Sequence, residues 1–368
     1  MEKSDLLAFL EELAPRVLAE DWDNCGLLVD CGQTEYRRVA VALDATAETI
    51  DKACEFGADL LLTHHPIMLS GIKRIDGTTH EGQVILALIR NNISMLAMHT
   101  NLDGARQGVN AVLADTLGLV SKVSLQPARI PAKKLVVYVP QPDAEKVFEA
   151  MARAGAGHIG NYSHCSFRAA GTGTFLPGEG SSPYAGTVGT LERAEEIRLE
   201  TIVRAKDLRQ VVGAMLASHP YEEAAYDVYD LELEDDVPGL GLIGELPEAM
   251  SFMDFAHHVK TKLGAQAVRA CGDRGRMVRK AAVSSGGGFT MFQAAAAAGA
   301  DVFVTGDVRH HQALEAQHSG VCLIDAGHFE TETLVVPRLI GCLQQRFDPV
   351  QYSVAFKDCG GLPPFEII

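Results

Sequence analysis

The chain has no apolar stretch of the roughly eighteen residues that a membrane-crossing helix needs. It has no C-x-x-C pair either: its eight cysteines lie scattered at positions 25, 31, 54, 165, 271, 322, 342 and 359. In a long chain, thiols spaced this way read as reduced and mostly buried, as in a cytoplasmic protein. Basic residues are short too, 32 against 48 acidic ones, for a net charge of −16. A surface for nucleic acid or anionic lipid would need a basic face, so neither partner is expected. The opening MEKSDLLAFLEELAP is acidic and amphipathic, without the basic start and apolar middle of a signal peptide. What remains is ordinary globular composition, 47% hydrophobic and 22% charged, over 368 residues, enough for two or three domains.

Within that composition the order of patterns is informative. An amphipathic helix ends at Pro15, and the turn-rich WDNCGL (22–27) follows. Strand patterns RRVAVALD (37–44), DLLLTHH (59–65) and ISMLAMHTNLD (93–103) then alternate with helical ones over 48–58 and 83–92. Such alternation predicts an α/β fold with a mostly parallel sheet, whose strands carry function at their carboxyl ends. The plan recurs later. AVALDATAETIDKACEFGADLLLTHHP (40–66) parallels AAVSSGGGFTMFQAAAAAGADVFVTGD (281–307), through a shared Gly-Ala-Asp, apolar strand and threonine. MLAMHTNLD (95–103) parallels CLIDAGHFETE (322–332): Asp103 follows His99 by four residues, as Glu332 follows His328. The reading is two pseudo-repeated α/β core halves, residues 1–130 and 237–368. Between them, residues 131–236 give strand 133–140, helix 143–155, a strand around HCSF, strand 197–203, helix 206–218 and strand 224–232. That βαββαβ order predicts an inserted ferredoxin-like domain.

The chemistry collects where strands end. His64 and His65 close LLLTHHP, and the other strand ends offer His99, Asp103, Asp307, His310, His311, His328 and Glu332. Two neighbouring metal ions need several nitrogen and oxygen ligands, with a carboxylate to bridge them. His64, His65, Asp103, His328 and Glu332 meet that need, and no cysteine competes as in a structural thiolate site. If a helix starts at His328, the i, i+4 spacing puts His328 and Glu332 on one face and turns Glu330 away. His99 is a further ligand, a group that supports a ligand from behind, or a proton-transfer group. His311 is the candidate for substrate contact or proton transfer. Asp307 and His310 read equally as a helix N-cap and an exposed ring. SSGGG (284–288) reads as a tight βα turn before it reads as a phosphate cradle. HPYEE (219–223) reads as a helix stop with a polar turn.

Taken as a set, WDNCGL, LLLTHHP, HTNLD, VSSGGG, TGDVRHH and AGHFETE resemble the Nif-three-like, dinuclear-metal-centre proteins, also labelled GTP cyclohydrolase 1 type 2 homologues. The insert resembles that of the long bacterial members, through GAGHIGNYSHCSF, GTGTF and HPYEEAAYDVY. The resemblance covers nearly the whole chain. It implies that His64, His65, Asp103, His328 and Glu332 bind two divalent metal ions per subunit (Zn, Fe or Mn). It implies a toroidal homohexamer, a trimer of dimers, with sites lining an internal cavity. It also implies an insert of the PII or CutA type.

The expected function is a dinuclear metal-dependent hydrolase for a small anionic substrate, a nucleotide or phosphoester, with GTP cyclohydrolase-like chemistry among the possibilities. Two ions bring +4, and Asp103 and Glu332 cancel two of those charges, which favours an anion. The alternative is a non-enzymatic metallochaperone or regulatory ring. An open coordination position favours the first reading, and a closed ligand shell the second.

Overall fold

The computed structural model describes residues 1–127, 132–160, 162–231 and 239–368. The chain divides into two compact units, one of Met1–Ala128 with Asp236–Ile368 and one of Arg129–Asp235. The expected domain limits at 130/131 and 236/237 fall outside the described residues.

In the first part of the larger unit, α1 (Lys3–Leu13) leads to β1 (Gly26–Val29), β2 (Arg38–Ala42), α2 (Ala47–Phe56), β3 (Leu60–Thr63) and α3 (His80–Arg90). β4 (Ser94–Ala97), the single turn α4 (Thr100–Asp103), α5 (Val109–Thr116) and β5 (Val120–Gln126) follow. The smaller unit holds β6 (Ala132–Pro140), α6 (Ala144–Arg153), β7 (Ser166–Phe175), β8 (Glu192–Arg204), α7 (Leu208–Ser218) and β9 (Tyr226–Leu231). The larger unit resumes with β10 (Leu240–Ser251), α8 (Phe252–Leu263), β11 (Arg269–Cys271), β12 (Met277–Val283), α9 (Phe292–Ala297) and β13 (Val302–Thr305). It ends with α10 (His310–Ser319), β14 (Cys322–Asp325), α11 (His328–Glu332), α12 (Val335–Arg346) and β15 (Ala355–Asp358).

Two sheets of the larger unit repeat one plan. The first runs β1-β4-β3-β2-β15 and the second β11-β14-β13-β12-β10-β5. In each, three central strands are parallel and an antiparallel edge strand flanks the third, β1 beside β4 and β11 beside β14. The central strands LLLT, SMLA, VFVT and CLID are buried throughout, as parallel strands covered on both faces should be. The two Gly-Ala-Asp stretches do the same work. Gly57 and Gly299 take left-handed φ values of 68° and 78° after a helix. Two residues on, the Asp59 carboxylate accepts from the Arg37 and Arg38 N–H groups, and Asp301 accepts from those of Arg279 and Lys280. Each aspartate thus ties the start of one parallel strand to the backbone of its neighbour.

The halves also trade edges. β15, from the end of the chain, runs parallel to β2, and β5, from the first half, runs antiparallel to β10. The two sheets therefore do not coincide with two contiguous stretches of sequence.

In the smaller unit the sheet order is β7-β8-β6-β9, antiparallel throughout, which is the ferredoxin-like arrangement. α6 and α7 cover one face, where Leu135, Val137, Val139 and Leu199 pack on Val147, Phe148, Met151, Val211 and Met215.

Candidate metal centre

The β2–β3 ladder continues beyond Thr63. The His64 N–H donates to the Ala42 carbonyl at 3.3 Å and the His65 N–H to the Leu43 carbonyl at 3.0 Å. The Thr63 hydroxyl donates to the His65 carbonyl at 2.8 Å and tightens the bend. Neighbours on a strand point to opposite faces, but past the strand end the two rings turn together, with centroids 4.9 Å apart. His99 caps α4, whose one turn carries Asp103 back toward His64. α11 begins at His328 and keeps Glu332 on the same face, with His328 Nε2 and Glu332 Oε2 3.0 Å apart. The helix on which the choice of Glu332 over Glu330 depends is present.

Each of the four imidazoles is held by an oxygen behind its Nδ1. The Met98 carbonyl is 2.8 Å from His64, Asp44 2.7 Å from His65, Asp23 2.8 Å from His99 and Asp307 2.7 Å from His328. Partners of this kind fix ring orientation and leave Nε2 as the free donor atom, the usual arrangement behind a histidine ligand. The Nε2 atoms then converge with Asp103 and Glu332. Three sets could each hold an ion: His64 with His65 and His99, His65 with His328 and Glu332, and His64 with Asp103 and Glu332. Glu332 belongs to two of them. Its Oε2 is 3.0 Å from the Nε2 of both His65 and His328, and its Oε1 is 3.9 Å from that of His64.

The cluster fits a cation. While the imidazoles are neutral, the buried His64 Nε2 and Glu332 Oε2 have no hydrogen-bond partner. With Nδ1–H donated to Asp44 and Asp307, the Nε2 lone pairs of His65 and His328 face the Glu332 oxygen, acceptor against acceptor. Donors about 2.0–2.1 Å from a shared tetrahedral ion lie roughly 3.3 Å from one another, close to the 3.0–3.9 Å found here.

In the absence of a metal, protons take that place. Burial draws His65 down, yet its hydrogen bonds with Asp44 and Glu332 outweigh it and hold the ring at about 10. The hydrogen bond with Glu332 lifts His328 to about 9, against burial. Burial would raise the Glu332 carboxyl, but His328, His64 and His65 hold it well below the usual range. For Asp103 burial wins over the attraction of His64, and its carboxyl is raised.

The glycine-rich turn closes the site from behind. Gly286 has φ of 55°, and a Cβ there would stand 2.1 Å from Glu332 Oε1. Its N–H donates to Thr331 Oγ1 at 3.0 Å, and the Ser285 N–H donates to Asn110 Oδ1 at 2.8 Å. The Ser285 hydroxyl donates to Asp103 Oδ1 at 3.1 Å. With these groups committed, SSGGG is the tight turn that the sequence favours, and it buttresses both carboxylates.

Of the seven residues that the sequence points to as ligands, proton-transfer groups or substrate contacts, six come together: His64, His65, His99, Asp103, His328 and Glu332. His311 lies outside the three sets, exposed on the first turn of α10 with its ring 5.4 Å from that of His310. Asp307 does not cap α10, whose N-cap is Arg309; at a left-handed φ of 53° it turns its carboxylate to His328 instead. The orienting carboxylates Asp23 and Asp44 escaped sequence reading. Asp44 lies just past a parallel strand's carboxyl end and Asp23 inside WDNCGL, and asking what holds each imidazole would have found both.

The profile of the family described as Duf34/NIF3 (NGG1p interacting factor 3) matches residues 1–359. The chain belongs to the Duf34/NIF3 family. Within curated proteins it is 43% identical over 324 residues to the "GTP cyclohydrolase 1 type 2 homolog" of Halalkalibacterium halodurans, covering 88% of this chain and 87% of that one. It is 41% identical over 325 residues to the protein of the same name from Bacillus subtilis, again over 88% and 87%. A Bacillus cereus protein related to NIF3 superposes with TM-score 0.86 at 39% identity, over 100% of this chain and 99% of its own. A Staphylococcus aureus protein does so with TM-score 0.81 at 28% identity, over the same shares. No helix among the described residues is long and apolar enough to cross a membrane.

Proposed function

We propose that this member of the Duf34/NIF3 family is a dinuclear metal-dependent hydrolase acting on a small anionic substrate. The observation that carries the proposal is the double membership of Glu332: one oxygen faces His65 and His328, the other faces His64 and, beyond it, Asp103. A carboxylate so placed can bridge two divalent ions, Zn, Fe or Mn, and screen their repulsion. Bound there, two such ions would supply Lewis acidity toward a phosphoryl or carbonyl oxygen and acidify water at neutral pH.

The rest falls to the chain's own groups. His65 and His328, with Glu332, make one donor set, and His64, Asp103 and Glu332 the other. His99, oriented by Asp23 and set beside His64 and His65, is the proposed proton-transfer group. His311 is a second candidate for that step or for substrate contact. Asp23, Asp44 and Asp307 stand behind the rings and reduce the positive field that Asp103 and Glu332 alone would leave. Attraction of an anion therefore rests on direct contact with the ions. Nucleotides and phosphoesters are the proposed class, and the name carried by the relatives puts GTP among the compounds to test. The proposed assembly is a cytoplasmic homohexameric ring, a trimer of dimers with the centres facing an internal cavity. The ferredoxin-like insert is proposed to be of the PII or CutA type.

The test is anaerobic purification with elemental analysis, then a panel of nucleotides and phosphoesters. Chelation should abolish turnover, and Zn²⁺, Mn²⁺ or Fe²⁺ should restore it. A fully metallated protein that turns over nothing in that panel would move the function to metal handling.

A further inference from the structure

The ferredoxin-like unit has a cavity of its own, of about 850 Å³. It lies on the sheet face opposite α6 and α7, where alternation along the strands puts Tyr138, Glu196 and Arg198. Two features of sequence hollow it out. On the cavity face β7 carries little side chain, with Ala169, Gly171 and Gly173 in register with Arg198, Glu196 and Ala194. The Gly/Pro/Ser stretch that follows bends into a wall, and the Glu222 carboxylate pins it by accepting from the Ser182 N–H at 3.0 Å.

The floor is a carboxylate and one wall is aromatic. Glu196 is only 9% exposed, in register with Gly171 on the neighbouring strand. Tyr221 donates its hydroxyl to Glu196 Oε1 at 2.9 Å. Burial and that same contact push the Tyr221 phenol up, so it remains a donor. Glu196 Oε2 lies over Gly173, where a Cβ would come within 2.1 Å, so a larger residue there would push the carboxylate aside. Among the described residues no cation pairs with Glu196, since the Arg198 guanidinium sits 2.8 Å from Glu200. The ring of Tyr221 stands 5.9 Å from those of both Phe175 and Tyr184. Three carboxylates, on Glu196, Glu222 and Glu223, line the space against one guanidinium. His219 belongs to the frame: its Nε2 is 3.0 Å from the Tyr138 carbonyl and its Nδ1 accepts from the Tyr221 N–H.

We propose that this cavity binds a small organic cation, a protonated amine or guanidinium carried on a flat or apolar body. Glu196 Oε2 accepts no hydrogen bond among the described residues and borders the cavity, so a ligand that fills the space takes water from it, a costly step unless a charged donor meets it. The aromatic wall suits the body of such a ligand and attracts its charge. The volume is within the usual range for small-molecule sites, roughly 300–1,000 Å³. An anion or a neutral ligand without a donor would leave Glu196 desolvated and unpaired.

The test is calorimetric titration of the full-length protein with tyramine, agmatine and spermidine. The neutral 4-ethylphenol and the anionic 4-hydroxyphenylacetate serve as controls. At least one cation should bind saturably, with both controls weaker by about tenfold or more, the scale of a charge-assisted hydrogen bond. Glu196→Gln should weaken that cation about ten- to a hundredfold. Gly171→Leu, whose side chain would enter open space on the same face, should abolish its binding. Both variants should keep the wild-type melting temperature and metal content. Saturable binding by none of the three cations, equal binding of a control, or undiminished binding in Gly171→Leu would each overturn the proposal.

Discussion

Glu332 and Glu330 stand two positions apart on one short helix, yet their surroundings differ. Glu332 is 4% exposed with its oxygens aimed at three imidazoles, whereas Glu330 folds back over Gly327. Glu332→Gln keeps the shape but removes the charge that would screen two cations. It should lose most bound metal by elemental analysis, while Glu330→Gln retains it; reversed behaviour would show that the register of α11 is misread. Asp44 acts one step further out. Asp44→Asn should weaken metal binding about ten- to a hundredfold without unfolding the protein, as losses behind a histidine ligand do. pH gives an independent reading of the same cluster. His65 and His328 are raised to about 10 and about 9 in the metal-free protein. Their contribution to metal-free stability is complete below the unfolded histidine value, about 6.5, and is lost as pH rises through 9 to 10. Glu332 is lowered, so its contribution is complete above the unfolded value, about 4.3, and is lost on acidification. The melting temperature of chelated protein should therefore decline on both sides of neutrality. Metal-loaded protein should resist the alkaline decline, because metal and proton occupy the same Nε2 atoms.

At the scale of elements, legibility followed burial. β2, β3, β4, β13 and β14 are short and almost wholly apolar, and β12 ends on the buried AAV, so their runs stand out, and the residues just past them hold most of the centre. α11 was legible because two ligand types recur at i, i+4. The edges were not. β5 reads VSKVSLQ and has no buried residue, while β15 reads AFKD and joins a sheet begun some three hundred residues earlier. Nothing in a local hydrophobic pattern records which sheet such a strand joins. The glycine turn after β12 is intermediate. Its sequence announces a turn, but only the structure shows Gly286 pressed against Glu332 at a left-handed φ. Gly286→Ala meets two penalties, the φ of 55° and a Cβ 2.1 Å from a carboxylate oxygen. It should displace Glu332 and reduce metal content while circular dichroism still reports a folded α/β protein. Normal metal content in that variant would mean the turn yields without disturbing the carboxylate.

For the whole molecule, the consequential feature is how the chain leaves the larger unit and returns. β5 and β10 are antiparallel neighbours, and Gln126, the last residue of β5, pairs with Leu240, the first of β10. Paired residues on antiparallel strands lie about 4.5–5.5 Å apart. The entire smaller unit therefore occupies the position of a hairpin loop. A two- to four-residue turn can span such a gap without strain, so replacing residues 128–238 by Asn-Gly should leave both sheets of the larger unit intact. All the groups of the metal centre lie outside that segment. The shortened protein should be soluble, bind the same metal per chain as the full chain, and lose any binding of organic amines. It also separates the two proposals. Retained metal with lost amine binding assigns each property to its own unit. Retained amine binding would place the cation elsewhere, and a folded but metal-free product would mean that the centre depends on the insert despite containing none of its side chains.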